Sequence, residues 1–359
     1  MFQPRTLTAV VAAALMAAGA GLVPRAQTTF RFAVSGDSRD CGDVVMPEIA
    51  AGAQQDGAAF YWHLGDFRKI YDFDEDMQHE VSRQGKPLTI LDYENGAWDD
   101  FIAHQLAPFG STPVYLAVGN HELYPPKTRG DLIAEFADWF NAPEIRRQRL
   151  ADDPSAYRVQ TWSHWVQAGV DFISLDNGSI EQFEPAQMRW VHGVLARDEQ
   201  DPAIKTIVVG MHRALPESLS ADHSMNESPA MRATGREVYE TLLHAQNVAH
   251  KHVYLVASHS HYYMDDTFNT AYWREHGGVL PGWIVGTAGA YRYTLPADAK
   301  DAKMAETHVY GYLLGEVAPD GTIAMRYHRI DESDVPPAVA NQFTPGFVHW
   351  CFAENAQTR

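Results

Sequence analysis

Short apolar runs rich in β-branched and aromatic residues recur along the chain, and most are separated by segments with helical spacing. That alternation confines the chain to an α/β architecture. The spacing predicts strands over Phe30 to Ser35, Ala58 to Leu64, Pro113 to Val118, Val170 to Leu175, Thr206 to Val209, Val253 to Ala257 and Trp283 to Val285. It predicts helices over Val44 to Gln54, Trp98 to Leu106, Asp131 to Phe140, Pro185 to Arg197 and Arg232 to Ala245. Pro185 suits a helix start, where no intrahelical donor is needed. Two hairpin-like pieces, Tyr157 to Ala168 and His308 to Ile330 with Asp320-Gly321 as its turn, add antiparallel strands, so a mixed sheet system is expected. The polar stretches Asp72 to Lys86 and Pro216 to Pro229 read as loops that line or cover a site, and Asp74-Glu75-Asp76 as a solvated turn.

A length of 359 residues is compatible with one large domain, expected over 27–359 and ending in a β-hairpin and tail. Residues 1–26 read as a secretory signal peptide: Arg5 precedes an apolar run from Leu7 to Val23 that contains Ala18-Gly19-Ala20. The mature chain is then expected to be exported, periplasmic or extracellular, and without a membrane span, since no comparable apolar run follows. An exported chain with two cysteines, Cys41 and Cys351, is compatible with a disulfide and also with two buried thiols. A bridge would fasten the C-terminal tail near Asp37.

Charge narrows the partners. Lys and Arg number 28 against 46 Asp and Glu, a formal net charge of −18, which excludes binding a nucleic-acid polymer through a general basic surface. A small phosphorylated substrate remains open, provided a bound cation or a few arginines reverse the field locally. No feature of the sequence identifies a protein partner.

The chemistry lies just past the strands. Five of them run into residues suited to ligating a metal: Asp37 in SGDSRD, Asp66 in HLGDF, Asn120 and His121 in VGNHE, His212 in VGMHR, and His259 with His261 in ASHSH. In an open α/β sheet ligands bind beyond the carboxyl ends of the strands, so these segments can converge on one crevice. Carboxylate, imidazole and amide oxygen together suit a hard or borderline divalent cation such as Fe, Mn or Zn. Glycines at 36, 65, 119 and 210 stand where the chain must turn sharply and let a ligand approach. His63 is read as a packed histidine, and His244, His250 and His252 as solvated groups around a helix end.

In that order, Asp, Asp, Asn-His, His, His-x-His, the chain resembles the calcineurin-like metallophosphoesterases from about Phe30 to about Tyr293, most strongly in Gly119 to Glu122 and the downstream histidine motifs. Within them it looks nearest to the purple acid phosphatase branch, through His212-Arg213, His259-x-His261-x-Tyr263 and Gly286-Thr-Ala-Gly289. The resemblance implies a double β-sandwich flanked by helices, in four αββα layers, with two divalent metal ions at the sheet edge. It implies that Asp66 bridges the metals, that Asp37 and His261 serve the first, that Asn120, His212 and His259 serve the second, and that His121 sits near the leaving group. The implied function is cleavage of phosphate esters, monoesters foremost, by attack of a metal-bridging hydroxide. A phosphodiesterase acting on nucleotides or lipid head groups, and a non-catalytic phosphate-binding protein, are the alternatives.

The sequence departs from the pattern at the first metal. Arg39 stands where the superfamily commonly has a His, and Lys69 where purple acid phosphatases have a Tyr. Ser38, Asp40, Tyr71, Asp72 or water could take the missing ligands' place. Arg39 cannot ligate a metal, but its fork matches two phosphate oxygens, and Arg213 is a second such clamp; Arg39 could equally pair with Asp40 or Asp72.

Overall fold

The computed structural model describes residues 29–179 and 181–357. The segment read as a signal peptide lies outside the described residues.

Among them two sheets stack face to face. The strands in chain order are β1 (Phe30–Ser35), β2 (Ala58–His63), β3 (Val114–Leu116), β4 (Ser163–Gln167), β5 (Val170–Ser174), β6 (Thr206–Met211), β7 (His252–Ala257), β8 (Tyr263–Asp265), β9 (Gly282–Val285), β10 (Ala305–Glu306), β11 (Tyr310–Val317) and β12 (Ile323–Ile330). One sheet has the order β12-β11-β1-β2-β3 and the other β10-β8-β9-β7-β6-β5-β4. The first is parallel over β1-β2-β3, with β3 at its edge, and antiparallel on the β11-β12 side; the second is parallel over β5-β6-β7-β9 and antiparallel at both edges.

Alternation along the strands divides the apolar side chains between layers. Phe32, Val34, Phe60 and Trp62 point inward and meet Trp165, Phe172, Val208 and Val256 of the facing sheet. Ala33 and Tyr61 point out beneath the helix Gly42–Gln55, while Ile207 and Val209 pack under the helices Pro185–Gln200 and Pro229–Asn247. Helices therefore cover both outer faces, and the architecture is the double β-sandwich expected. No helix of the described residues is long and apolar enough to cross a membrane.

Several local expectations shift. The Trp98 to Leu106 segment divides into the end of a helix, Ile90–Phe101, and a π-helical turn, Ile102–Leu106. The hairpin expected within Tyr157 to Ala168 lies one strand later, β4 pairing with β5 across Ala168-Gly169. The stretch Asp72 to Lys86 is not a loop throughout: Glu75–Arg83 is helical. Nor is Asp74-Glu75-Asp76 a solvated turn, because Asp74 and Asp76 are fully buried around the buried guanidinium of Arg68.

Cys41 and Cys351 are joined, across a sequence separation of 310. The bridge ties the tail to the start of the helix Gly42–Gln55. Closing so long a loop removes much chain entropy from the unfolded state. Cys351→Ser is expected to lower unfolding stability by ~2–5 kcal/mol. Chemical denaturation with and without reductant checks this, and equal midpoints would refute it.

Candidate metal centre

The candidate ligands lie just beyond the carboxyl ends of β1, β2, β3, β6 and β7. Asp37, Asp66 and His259 have φ of 60°, 59° and 65°, the left-handed region that costs a non-glycine residue of order 1–3 kcal/mol. Hydrogen bonds hold those turns. The His259 N–H donates to Asp37 Oδ2 at 2.7 Å, and the His121 N–H to Asp66 Oδ1 at 3.0 Å. Glu122 accepts from the N–H groups of Asp66 (2.8 Å), Phe67 (2.7 Å) and Gly119 (2.8 Å), clamping two strand ends together. Gly65, at φ 95°, and Gly119 are required there, since a Cβ on Gly65 would lie 2.3 Å from the Gly119 nitrogen. Gly210 serves another purpose, leaving room for the Trp62 ring rather than for a ligand.

His212 is oriented from behind. Its Nδ1 donates to the carbonyl of Leu64 at 2.9 Å, which leaves the Nε2 lone pair facing the crevice. That atom lies 3.1 Å from Asn120 Oδ1, 3.3 Å from Asp66 Oδ1 and 3.0 Å from His259 Nδ1. The carboxylate and the amide oxygen offer only lone pairs, so the convergence demands a cation at its centre. A proton can satisfy one such pair; a divalent ion can satisfy all four atoms together. Burial pushes the His212 imidazolium down, yet Asp66 outweighs it and the net shift is upward, in line with that demand for positive charge. Asp66, Asn120, His212 and His259 thus fit a metal.

The other side of Asp66 is built differently. Asp37, Asp66 and His261 offer atoms within 4.8 Å of one another, but the Arg39 guanidinium is set among them. Its Nη2 donates to His261 Nε2 at 2.8 Å and its Nη1 to His121 Nε2. Burial first, and then the Arg39 charge, push both imidazoles down to about 4, so each is neutral at neutral pH. Arg39 pairs with neither Asp40 nor Asp72. Asp40 is instead 2.5 Å from Lys69 Nζ, which also reaches Glu75 at 2.8 Å, so Lys69 faces away from the ligands. Tyr71 is half exposed, its ring 5.1 Å from that of His121, at the rim of the crevice.

Arg213 is held from one side. Its Nη1 donates to the carbonyls of Asn177 (3.1 Å), Gly178 (2.8 Å) and Ser179 (3.2 Å), bracing that loop, and its Nε lies 3.4 Å from Glu227. Asn177 in turn accepts from the N–H groups of His212 (3.1 Å) and Arg213 (3.0 Å). His63, as expected, is packed: its Nε2 is 2.9 Å from Ser38 Oγ. Glu122 and Asn177 escaped the sequence reading. The first had a visible signal, following Asn120-His121 directly; the second had none.

Two stacked sheets with carboxylate, amide and imidazole ligands at consecutive strand ends define a metallophosphoesterase. Residues 31–263 match the family described as calcineurin-like phosphoesterase, and the chain belongs to that family, which implies divalent metals. Among solved structures, a purple acid phosphatase from yellow lupin (Lupinus luteus) seeds is similar over 84% of this chain and 52% of its own, at 17% identity and a TM-score of 0.54. The chain thus spans about half the length of that enzyme. PhoD is similar over 91% of this chain and 77% of its own, at 13% identity and a TM-score of 0.51. Comparison with curated proteins returned no match.

Proposed function

We propose that the protein is an exported, metal-dependent phosphomonoesterase. The observation that carries the reading is the meeting of Asp66, Asn120, His212 and His259 on one point, with the buried Arg39 guanidinium and His121 beside it. A divalent ion held there, Fe, Mn or Zn, would polarise a phosphoryl oxygen and acidify water. The residues themselves supply the rest. Arg39 is a permanent positive charge in a low-dielectric pocket, and its buried Nε–H has no partner among the described residues. Such a group favours the doubly charged phosphate of a monoester over the singly charged one of a diester. His121, its Nδ1–H held by the carbonyl of Lys69 at 2.7 Å, turns its Nε2 lone pair onto Arg39; only as the imidazolium, with Nε2 released from Arg39 to the substrate, would it protonate the departing alkoxide. Export is supported by the apolar segment from Leu7 to Val23 and by a disulfide, which persists in an oxidising compartment.

Paired assays of the purified chain with a chromogenic phosphate monoester and a chromogenic diester, before and after chelation, test the reading. The expected result is chelator-sensitive hydrolysis with the monoester preferred. Preference for the diester would replace the monoesterase by a phosphodiesterase, and hydrolysis of neither would sink both.

A further inference from the structure

We propose that the Arg39 guanidinium is the resident cation on the Asp37–His261 side of the centre, so that the protein holds one divalent ion, at Asp66, Asn120, His212 and His259, and not a pair. The inference rests on the phosphoesterase reading above and specifies its metal site.

The hydrogen-bond geometry is the first argument. His121 Nδ1 lies 2.7 Å from the Lys69 carbonyl and His261 Nδ1 lies 2.7 Å from the Tyr291 carbonyl. A carbonyl only accepts, so in both rings the proton is on Nδ1 and the Nε2 lone pair is turned into the crevice. These are the lone pairs a metal would need. Both are taken by Arg39, Nη2 at 2.8 Å from His261 Nε2 and Nη1 on His121 Nε2. Carboxylates stand next to both rings: Asp37 Oδ1 lies 3.2 Å from His261 Nε2, and Asp66 Oδ2 lies 3.6 Å from His121 Nε2. Two imidazole lone pairs therefore hold one guanidinium, and Asp66 and Asp37 favour its charge from further off, without a direct ion pair.

The guanidinium cannot make room chemically. It has no lone pair to offer and does not deprotonate under protein conditions, so a divalent ion here would face a fixed positive charge across Asp37 and Asp66. Nor is Arg39 a surface group free to swing out: it is 2% exposed, and its carbonyl accepts from the Cys41 N–H at 2.8 Å, next to the disulfide. Among the described residues, no guanidinium hydrogen-bonds to the side chains of Asn120, His212 or His259 on the opposite flank. The guanidinium nearest in sequence there, Arg213, is directed at the carbonyls of residues 177–179.

The division of labour that results is one exchangeable ion and one covalently attached cation, on either side of Asp66. The ligand set around the ion, two imidazoles, one carboxylate and one amide oxygen, suits Zn, Mn or Fe.

Metal stoichiometry tests this without reliance on activity. Wild type, Arg39→Ala and Arg39→His are each saturated with Mn²⁺, freed of excess and measured by elemental analysis and by electron paramagnetic resonance. Wild type is expected to hold one ion per chain with the spectrum of an isolated Mn²⁺. Arg39→His, which puts a lone pair in place of the cation, is expected to hold two and to show the broadened spectrum of a coupled pair. Arg39→Ala, with the charge gone but no ligand added, is expected to take the second ion at least tenfold more weakly than the first. Circular dichroism and retention of the first ion confirm that each variant is folded. Two ions in wild type would overturn the proposal, and so would a single ion in a folded Arg39→His. If wild type holds one ion yet hydrolyses neither ester, the phosphoesterase reading fails while this one stands; hydrolysis with two ions does the reverse.

Discussion

Replacement of His121 by alanine is expected to lower turnover of alkyl phosphates by on the order of 10²–10⁴-fold while affecting activated aryl phosphates far less. The difference follows from the leaving oxygen: an alkoxide must be protonated as it departs, whereas a nitrophenolate leaves without help. The ring is well placed for that task. Its Nδ1 is fixed on the Lys69 carbonyl, its backbone N–H is on Asp66, and its Nε2 faces the crevice. Burial, with Arg39, pushes its pKa down to about 4; the neutral ring accepts from Arg39 at Nε2, so only the imidazolium, released from Arg39, donates, and that form grows as pH falls. The ratio of alkyl to aryl turnover should therefore rise as pH falls below neutrality in wild type and lose that slope in the variant. Steady-state kinetics on the two ester types across pH would show it. Equal losses on both, with no pH signature, would mean that His121 only positions Arg39.

Arg68→Met is expected to cost ~3–5 kcal/mol of stability, the scale of a buried ion cluster left without its cation. Arg68 is fully buried; it lies 2.8 Å from Asp76 and contacts Asp43 and Asp100. Without it these carboxylates have no guanidinium to balance them. The effect would reach the centre. Asp74, 4.0 Å from Arg68, accepts from the N–H groups of Asp40 (2.7 Å) and Lys69 (3.1 Å), and Asp76 accepts from that of Asp43 (3.0 Å). These bonds hold the segment that carries Asp37 and Arg39. Arg68→Lys should rescue little, because a compact ammonium cannot span carboxylates on both sides. Urea denaturation gives the stability change, and Mn²⁺ titration of the folded variant gives the effect on the site. A shift below 1 kcal/mol would show that the carboxylates neutralise themselves by taking up protons.

The two sheets and the crevice were legible in the sequence for a local reason. A strand's faces alternate residue by residue, so Phe32 and Val34 against Ala33, or Phe60 and Trp62 against Tyr61, carry the layer assignment within the run itself. Where a parallel strand ends, the chain must turn beside the substrate crevice, and the motifs at Asp66 and Asn120 mark those turns with Gly65 and Gly119. Ligand types and their order were therefore readable from the chain itself.

What the sequence could not settle was the partner of each charge. Asp74, Glu75 and Asp76 look like a polar turn because three acids in a row have no local reason to be buried; only the Arg68 guanidinium, folded back onto Asp74 and Asp76, makes the burial of those two tolerable. Arg213 and Arg39 are both cations beside ligand motifs, yet one is drawn to the carbonyls of residues 177–179 and the other into the space between His121 and His261. The same separation of scales holds for Cys41 and Cys351, whose pairing across 310 positions no local pattern encodes. Periodicity and turn chemistry are properties of neighbours along the chain, and so the sequence by itself determined the sheets and the row of ligands. Charge pairing, ring orientation and the place of Arg39 depend on which distant atoms share a low-dielectric space, and that only the tertiary structure decided.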